Sequence, residues 1–237
     1  MAHLDAACGG STRRGTALSS SQEDYLKQIF LLADGDGPVS TQDLARRLSV
    51  RPASVTGMLR RLAELGCVRY ERYRGVRLTE TGRRVALEML RHHRLLETFL
   101  ARVLGYGWDE VHDEAERLEH VISERFEARI AESLGHPTHD PHGDPIPDAD
   151  LRLPPDTTQT SLDGMAGGST GRLTRVGTQD AGTLTHLRRL GILPGVQVTI
   201  VSASPNSVEI AIGHRRCRLP HGVARQLWLK EVRCSES

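Results

Sequence analysis

The strongest constraint on the fold is the order of apolar patterns between residues 40 and 79. The segment STQDLARRLSV opens with a capping residue, Ser40 or Thr41, and then repeats apolar residues at helical spacing. The next segment, RPASVTGMLRRLAELG, has a proline near its start and a glycine at its end, as helices commonly do. In CVRYERYRGVRLTETG, apolar residues alternate on both sides of Arg74-Gly75, which predicts a β-hairpin with a tight turn there. Two helices followed by a hairpin predict a winged helix-turn-helix, which we place in residues 21–91.

The charge is distributed unevenly, although the whole chain of 237 residues carries a formal net charge of only +1. Residues 44–91 contain 12 basic and 4 acidic residues, whereas residues 92–150 contain 5 basic and 14 acidic residues. A basic block beside an acidic block predicts a surface that binds a polyanion next to a region that binds cations.

Several classes of protein are excluded by composition. No apolar run approaches the roughly 18 residues that a membrane-spanning helix needs. The N-terminal sequence lacks the apolar stretch of a secretory signal peptide, so we expect a cytoplasmic protein with no membrane partner. The four cysteines, Cys8, Cys67, Cys217 and Cys234, form no C-x-x-C pair, which argues against a disulfide framework or a cysteine-rich zinc site.

The remaining organisation follows from composition and periodicity. A first helix begins near Ser21, with Ser21 and Asp24 as its expected capping pair. Two longer helices are expected at about 80–104 and 109–134, and residues 136–170 should contain little regular structure. We therefore predict a disordered N-terminus (1–20), the winged-helix domain, a helical domain (92–150), a linker (151–171) and a small all-β domain (172–233).

The basic block has the features of a DNA reader. The second helix of a helix-turn-helix lies in the major groove, with its N-terminal residues against the base edges. The hairpin that follows is suited to contact phosphates or an adjacent minor groove. The alternative is a solvated basic face on an ordinary helical domain. We predict that double-stranded DNA is contacted by Arg51, Pro52, Ser54, Thr56 and Arg60 of the helix and by Arg72, Arg74 and Arg77 of the hairpin.

The acidic block has the features of a metal site. In VHDEAERLEH, the residues His112, Glu116, Glu119 and His120 share one helical face. The preceding helix offers His93 and Glu97, which are also four residues apart. Two clusters on consecutive helices therefore predict metal binding.

Catalytic motifs are missing from the sequence. H-E-x-x-H is absent, the inverted H-x-x-E-H motif fails because position 116 is a glutamate, and the ferritin-like E-x-x-H motif fails because position 117 is an arginine. Neither G-x-S-x-G nor a P-loop pattern occurs. We therefore expect a protein that is not an enzyme. The histidines of the Pro-rich segment, His136, His139 and His142, are expected to be structural or solvated.

The sequence resembles the diphtheria toxin repressor family of metal-dependent transcriptional regulators, in particular its manganese-transport branch. The resemblance is carried by SQEDYLKQIF, ASVTGMLRRL, ERYRGVRLTETG, RHHRLLETFL, VHDEAERLEH and DPHGDPIP. It implies a homodimer built on the middle helices, a C-terminal SH3-like domain and two metal sites per subunit. The implied primary site uses Asp24, Glu116, Glu119 and His120. The implied ancillary site uses His93, Glu97 and His112, and Gln179 and Asp180 are the nearest candidates for a contribution from the SH3-like domain.

The resemblance also bears on the metal. In the iron-responsive branch, the positions that match Asp24 and Glu116 are methionine and cysteine. Here both are carboxylates, and an oxygen-rich site suits Mn²⁺, a hard ion that binds most ligands weakly. The short manganese regulators carry an acidic residue where this chain has Lys27, which argues against their closely spaced binuclear centre.

The resemblance therefore implies a manganese-responsive repressor of metal-homeostasis genes. Such a repressor would bind a palindromic operator with Mn²⁺ as co-repressor, and Fe²⁺ is a possible substitute. The alternatives are an iron-dependent regulator of the same family and, from another class, a metal-buffering protein.

Overall fold

Helices form the first part of the chain and strands form most of the last third. The computed structural model describes residues 18–33, 35, 37–155 and 159–234, so the predicted disorder of residues 1–20 falls almost entirely outside the described residues. The helices are α1 (Ser20–Leu32), α2 (Thr41–Arg47), α3 (Pro52–Glu64), α4 (Glu80–Arg102), α5 (Val111–Leu118), α6 (Glu124–Ser133), α7 (Ala181–Leu190) and α8 (His221–Ala224). The strands are β1 (Val68–Glu71), β2 (Gly75–Leu78), β3 (Thr160–Ser161), β4 (Ser169–Val176), β5 (Gln197–Ser204), β6 (Ser207–Ile212), β7 (Arg215–Pro220) and β8 (Leu227–Cys234).

The predicted winged helix-turn-helix is present. Helix α1 is capped by Ser19 and Gln22, two residues before the predicted pair, and Ser40 caps α2 by accepting from the Asp43 N–H. Strands β1 and β2 pair antiparallel to form the wing. Its turn spans Arg72–Arg74, so the predicted Arg74-Gly75 turn is displaced, and Gly75 itself belongs to β2. Gly75 is required because any side chain there would collide with the Val39 carbonyl oxygen, 2.5 Å from the position of its Cβ.

The helical part differs from the sequence prediction in one respect. The single helix expected at about 109–134 is two helices, α5 and α6, separated by residues 119–123. The break follows from Ser123, whose hydroxyl accepts from the Phe126 N–H and therefore starts a new helix. Helix α4 runs across the predicted boundary between residues 91 and 92, so one continuous helix connects the wing to the helical domain.

The segment 138–147 has few regular elements, yet it is ordered against its neighbours. The Asp140 carboxylate accepts hydrogen bonds from the backbone N–H groups of His142 and Asp144, at 2.8 and 2.9 Å. Gly143 has φ +88°, and a Cβ there would lie 1.9 Å from the Thr174 carbonyl oxygen of β4. This contact packs the segment onto the C-terminal domain.

The C-terminal domain is an antiparallel sheet of the order β3-β8-β4-β5-β6-β7, covered by α7. Its core contains Leu173, Leu184, Ile200 and Leu229, and Trp108 of the helical part packs against it. The prediction that residues 151–171 are only a linker is wrong, because β3 and the start of β4 lie within it. Both strands form through pairing with β8, about 60 residues further along the chain, which local composition does not reveal. Within the described residues, no helix is long and apolar enough to cross a membrane.

Candidate metal centre and DNA-facing surface

Three of the four predicted primary ligands come together between α1 and the end of α5. His120 Nε2 lies 3.0 Å from Asp24 Oδ1 and 3.5 Å from Glu119 Oε1. The other ring nitrogen of His120 lies 2.9 Å from Glu23 Oε2, a neighbour that sequence reasoning did not include. Burial raises the pKa of Asp24, although His120 and Lys27 oppose this. The cluster therefore joins the winged helix-turn-helix predicted at residues 21–91, called the reader domain below, to the helical domain predicted at residues 92–150.

The fourth predicted primary ligand, Glu116, is held differently. The Lys27 ammonium donates to Glu116 Oε1 at 2.8 Å and to Glu119 Oε1 at 2.5 Å. Burial alone would lower the pKa of Lys27, but the charges of Glu119 and Glu116 outweigh it and raise the pKa. Glu116 consequently groups with His93 and Glu119 instead of with Asp24. The ammonium is a fixed positive charge inside the predicted metal site.

The predicted ancillary ligands also come together. His93 Nε2 lies 3.0 Å from both Glu97 Oε1 and His112 Nδ1, and His112 Nδ1 lies 3.3 Å from Glu97 Oε1. His93 Nδ1 lies 2.6 Å from Glu119 Oε2, which connects this cluster to the first one. Burial would lower the pKa of His93, but the charge of Glu97 and the hydrogen bond with Glu119 raise it to about 9.

Two further groups face Glu97, and sequence reasoning missed them. His142 is only 2 % exposed, its Nδ1 lies 3.7 Å from Glu97 Oε2, and its Nε2 lies 2.8 Å from the Trp108 carbonyl oxygen. Asp140 completes a fully buried group of possible ligands with Glu97 and His142. Burial, together with the charges of Glu97 and Asp144, raises the pKa of Asp140 well above its usual value.

His142 is therefore not solvated, because it lies buried among potential ligands. The signal available in the sequence was the carboxylate and imidazole two residues apart in DPHGDP.

The two candidates from the C-terminal domain are engaged elsewhere. Gln179 Oε1 accepts from Arg47 Nη2 at 2.6 Å, so it connects that domain to α2. Asp180 caps α7, accepting from the N–H and the hydroxyl of Thr183, both at 2.7 Å. Asp180 belongs to none of the groups of His, Cys, Asp and Glu ligands found in the described part of the chain. Both residues line the same groove as His112 and Glu116, so their contribution to the ancillary site stays a prediction.

The donor set has a consistent chemistry. The clusters around His120, His93 and His142 contain carboxylate oxygens and imidazole nitrogens, with no cysteine among them. Glu97 and Glu119 are carboxylates with almost no exposed surface, and among the residues that the structure describes their charged partners are imidazoles and Lys27. Such a set fits a divalent first-row transition metal ion bound through oxygen and nitrogen.

The predicted DNA-contacting residues are accessible, and four of the eight line one groove. All of them are exposed except Thr56, which is half-buried and donates its hydroxyl hydrogen bond to the Pro52 carbonyl oxygen at 3.1 Å. A groove between α3 and the wing is lined by Thr56, Arg60, Arg72 and Arg74, and also by residues 40–42, which were not predicted. Tyr73 at the wing tip is 90 % exposed, with the Arg72 guanidinium 4.8 Å above its ring.

A winged helix-turn-helix connected to clustered carboxylates and imidazoles defines a metal-dependent DNA-binding regulator. The chain belongs to the iron-dependent repressor family, whose members are metal-dependent transcriptional repressors. The matching family descriptions are "Iron dependent repressor, N-terminal DNA binding domain" over residues 17–76, "Iron dependent repressor, metal binding and dimerisation domain" over residues 79–148 and "FeoA domain", which is SH3-like, over residues 160–231.

Individual relatives carry different metals in their names. The iron-dependent repressor IdeR of Mycobacterium leprae is 34 % identical over 228 residues, which cover 91 % of this chain and 99 % of the relative. The regulator MntR of Lysinibacillus sphaericus is 38 % identical over 112 residues, 47 % of this chain and 80 % of the relative. A solved structure described as a manganese-dependent transcriptional repressor in complex with manganese is 39 % identical, has a TM-score of 0.82, and covers 88 % of this chain and 98 % of that one.

Proposed function

We propose that this protein is a manganese-responsive repressor that binds operator DNA when its metal sites are filled. The observation that carries the proposal is the contact of His120 with Asp24, 3.0 Å apart, because these residues belong to different domains. Asp24 lies on α1, which packs in the core of the reader domain, whereas Glu119 and His120 follow α5. Any ion shared by these three residues ties the reader domain to the helical domain.

The side chains of the chain perform the switching. Asp24, Glu119 and His120 would hold the first ion, and Glu97 with His93, His112, Asp140 or His142 would hold the second. A bound divalent ion supplies positive charge that neutralises these carboxylates and fixes their separation. Half-sites on DNA lie at set multiples of the helical turn, so a fixed distance between the two reading helices of a dimer favours binding. Shifting a population from 1:99 to 99:1 requires about 5.5 kcal/mol of differential binding.

The ligand chemistry supports manganese. Asp24 and Glu116 provide oxygen where the iron-responsive pattern has sulfur, and a soft sulfur ligand favours the competitors of Mn²⁺. The solved structure with the TM-score of 0.82 is described as a manganese complex. Regulation by Fe²⁺ is the second candidate, which is favoured by the 34 % identity to an iron-dependent repressor along almost the whole chain.

The remaining parts of the proposal concern partners and location. We propose a homodimer formed through the region that matches the dimerisation domain, residues 79–148, on a palindromic operator. A repressor acts where the chromosome is, so we place it in the cytoplasm. We further propose metal-homeostasis genes as targets. The division into a reader domain, a helical domain and a C-terminal SH3-like domain is part of the same proposal.

The test is a mobility-shift experiment on DNA selected from random sequence by the protein with Mn²⁺. Binding is compared with Mn²⁺, with Fe²⁺ under anaerobic conditions and with chelator. We expect retardation with Mn²⁺ and none with chelator. Equal retardation in chelator would overturn the switch and leave only a metal-binding DNA-binding protein, whereas metal uptake without DNA binding under any condition would favour metal buffering.

A matched pair of variants tests the reading surface. Arg60 lines the groove beside the wing, whereas Arg61 on the same helix is exposed outside it. Arg60→Ala should weaken DNA binding by about tenfold or more, the effect of about 1–3 kcal/mol typical of a lost base contact. Arg61→Ala should change it little, and Mn²⁺ stoichiometry should stay the same in both. Equal DNA affinity of the two variants would contradict the assignment.

A further inference from the structure

The C-terminal domain carries a block of positive charge of its own. Residues 160–234 contain ten basic and four acidic residues, and no acidic residue occurs from 210 to 230. Three of the basic residues, Arg215, Arg216 and Arg218, lie within four positions on β7 and are exposed. These three residues, called the β7 arginines below, concentrate positive charge on one strand outside the reader domain.

Strand β7 lies at an outer edge of the sheet. In the order β3-β8-β4-β5-β6-β7 it is the last strand, and it pairs with β6. The segment 138–147 packs on β4, which is three strands away, or about 14 Å at the usual spacing between strands. The edge that carries the β7 arginines is therefore remote from that contact.

Alternation along the strand directs two of the β7 arginines away from the core. Leu219 is fully buried in the core of the domain and Cys217 is half-buried, whereas Arg216 and Arg218 are exposed. Residues two positions apart on a strand share a face, and their Cα atoms lie about 7 Å apart. Phosphate charges recur at short intervals along nucleic acid, so these two side chains can each reach a separate phosphate of one strand.

The β7 arginines are not neutralised by neighbouring carboxylates. Arg225 of the same domain pairs with Asp163 at 3.1 Å, but no carboxylate of the described residues forms an ion pair with a β7 arginine. Glu209 lies opposite Arg218 in the register of β6 and β7, and its carboxylate accepts from the Ser202 hydroxyl of β5 at 3.3 Å. The guanidinium groups are therefore available to an anionic partner.

We propose that β7 is a second DNA-binding surface, which holds phosphates through Arg215, Arg216 and Arg218 and reads no sequence. A guanidinium forms paired hydrogen bonds with phosphate oxygens, and phosphate contacts carry no sequence information. The inference rests on the proposed function in one respect, namely that DNA is the partner of this protein. It requires no metal, because β7 contains no carboxylate and no imidazole. Charges on an edge strand also hinder pairing between sheets, and a measurement on DNA separates the two roles.

The test measures binding to DNA without the operator, in chelator, by fluorescence anisotropy at several salt concentrations. Such binding is too weak for retardation at ordinary salt and becomes measurable at low salt. The double variant Arg216→Gln/Arg218→Gln removes two charges from β7. The matched control, Arg129→Gln/Arg152→Gln, removes the same charge at arginines that are also exposed but are paired with nearby carboxylates.

The expected result is a change in the slope of log affinity against log salt concentration. Each phosphate contact contributes about 0.9 to that slope, so the slope should fall in magnitude by about 2 in the β7 variant and by less than about 0.5 in the control. Arg216→Lys/Arg218→Lys keeps both charges and should retain the wild-type slope. Circular dichroism shows whether each variant keeps the wild-type fold.

Three outcomes would overturn the proposal: an unchanged slope in the glutamine variant of β7, an equal fall in the control, or an equal fall in the lysine variant. Self-association of the glutamine variant in gel filtration, with an unchanged slope, would show that the arginines only protect the edge of the sheet. The Mn²⁺-dependent mobility shift on selected DNA reports the proposed function separately. Failure of the β7 surface leaves that shift intact, and failure of the shift leaves the slope in chelator unaffected.

Discussion

Lys27 provides the sharpest test of how the metal centre is built. It is only 3 % exposed and pairs with Glu119, which is fully buried, and with Glu116, which is 39 % exposed. Removing one partner of a buried ion pair costs about 3–5 kcal/mol. In Lys27→Met, Glu119 keeps its contact with His93 and Glu116 can be solvated. We therefore expect a loss of unfolding free energy at the lower end of this range, about 3 kcal/mol. For a chain of this size that corresponds to a fall in melting temperature of about 6–12 °C in chelator.

The decisive measurement is the recovery with metal. Mn²⁺ supplies positive charge to the same carboxylates, so it should raise the melting temperature of Lys27→Met more than that of the wild type. The matched control is Lys230→Met in the C-terminal sheet, which should show the wild-type response to Mn²⁺. Melting is followed by circular dichroism with and without Mn²⁺. If Lys27→Met melts within about 2 °C of the wild type in chelator, or gains no more than the wild type from Mn²⁺, the reasoning is refuted.

Three further outcomes are expected. Asp24→Met should move the metal response from Mn²⁺ toward softer ions in titrations of DNA binding, and an unchanged ranking would contradict the ligand assignment. The pKa of His93 is raised from 6.5 to about 9, so the stability of the metal-free protein should fall as the pH rises between these values. The affinity for Mn²⁺, measured by calorimetry, should rise over the same range because the competing proton is lost. Gly143→Ala should lower the free energy of unfolding, measured in urea, by about 3 kcal/mol. It should also speed hydrogen exchange of the Val176 N–H, which donates to the His142 carbonyl oxygen. Unchanged exchange would show that the segment 138–147 is not docked on β4.

The reader domain was predictable because its signals are local. Apolar spacing, Pro52 at the start of α3 and the alternation of the wing each act within a few residues, and each predicted element is present. The errors in this region are small displacements, at the cap of α1 and at the turn of the wing, because neighbouring residues can perform the same capping or turning role.

Prediction of the metal centre required information from residues that are far apart in the sequence. Asp24 and His120 are 96 positions apart, and only the family resemblance, not periodicity, placed them together. His142 was missed because a histidine in a Pro-rich segment has no periodicity to reveal burial, which comes from packing against β4 and Trp108. The early strands of the last domain were missed for the same reason, since their partner β8 lies near the end of the chain.

Helix α4 has a mechanical consequence. Its N-cap residue Thr79 directly follows the wing, and the Thr79 hydroxyl donates to the carbonyl oxygen of Gly66, in the turn before β1, at 2.7 Å. Later turns of the helix carry His93 and Glu97. A helix of 23 residues is about 35 Å long. The helix carries His93 about 21 Å from Thr79, so a tilt of about 5° at the ligands displaces the wing end by about 2 Å. We therefore expect small adjustments among the ligands to be amplified into a shift of the wing that is comparable with the rise between adjacent base pairs.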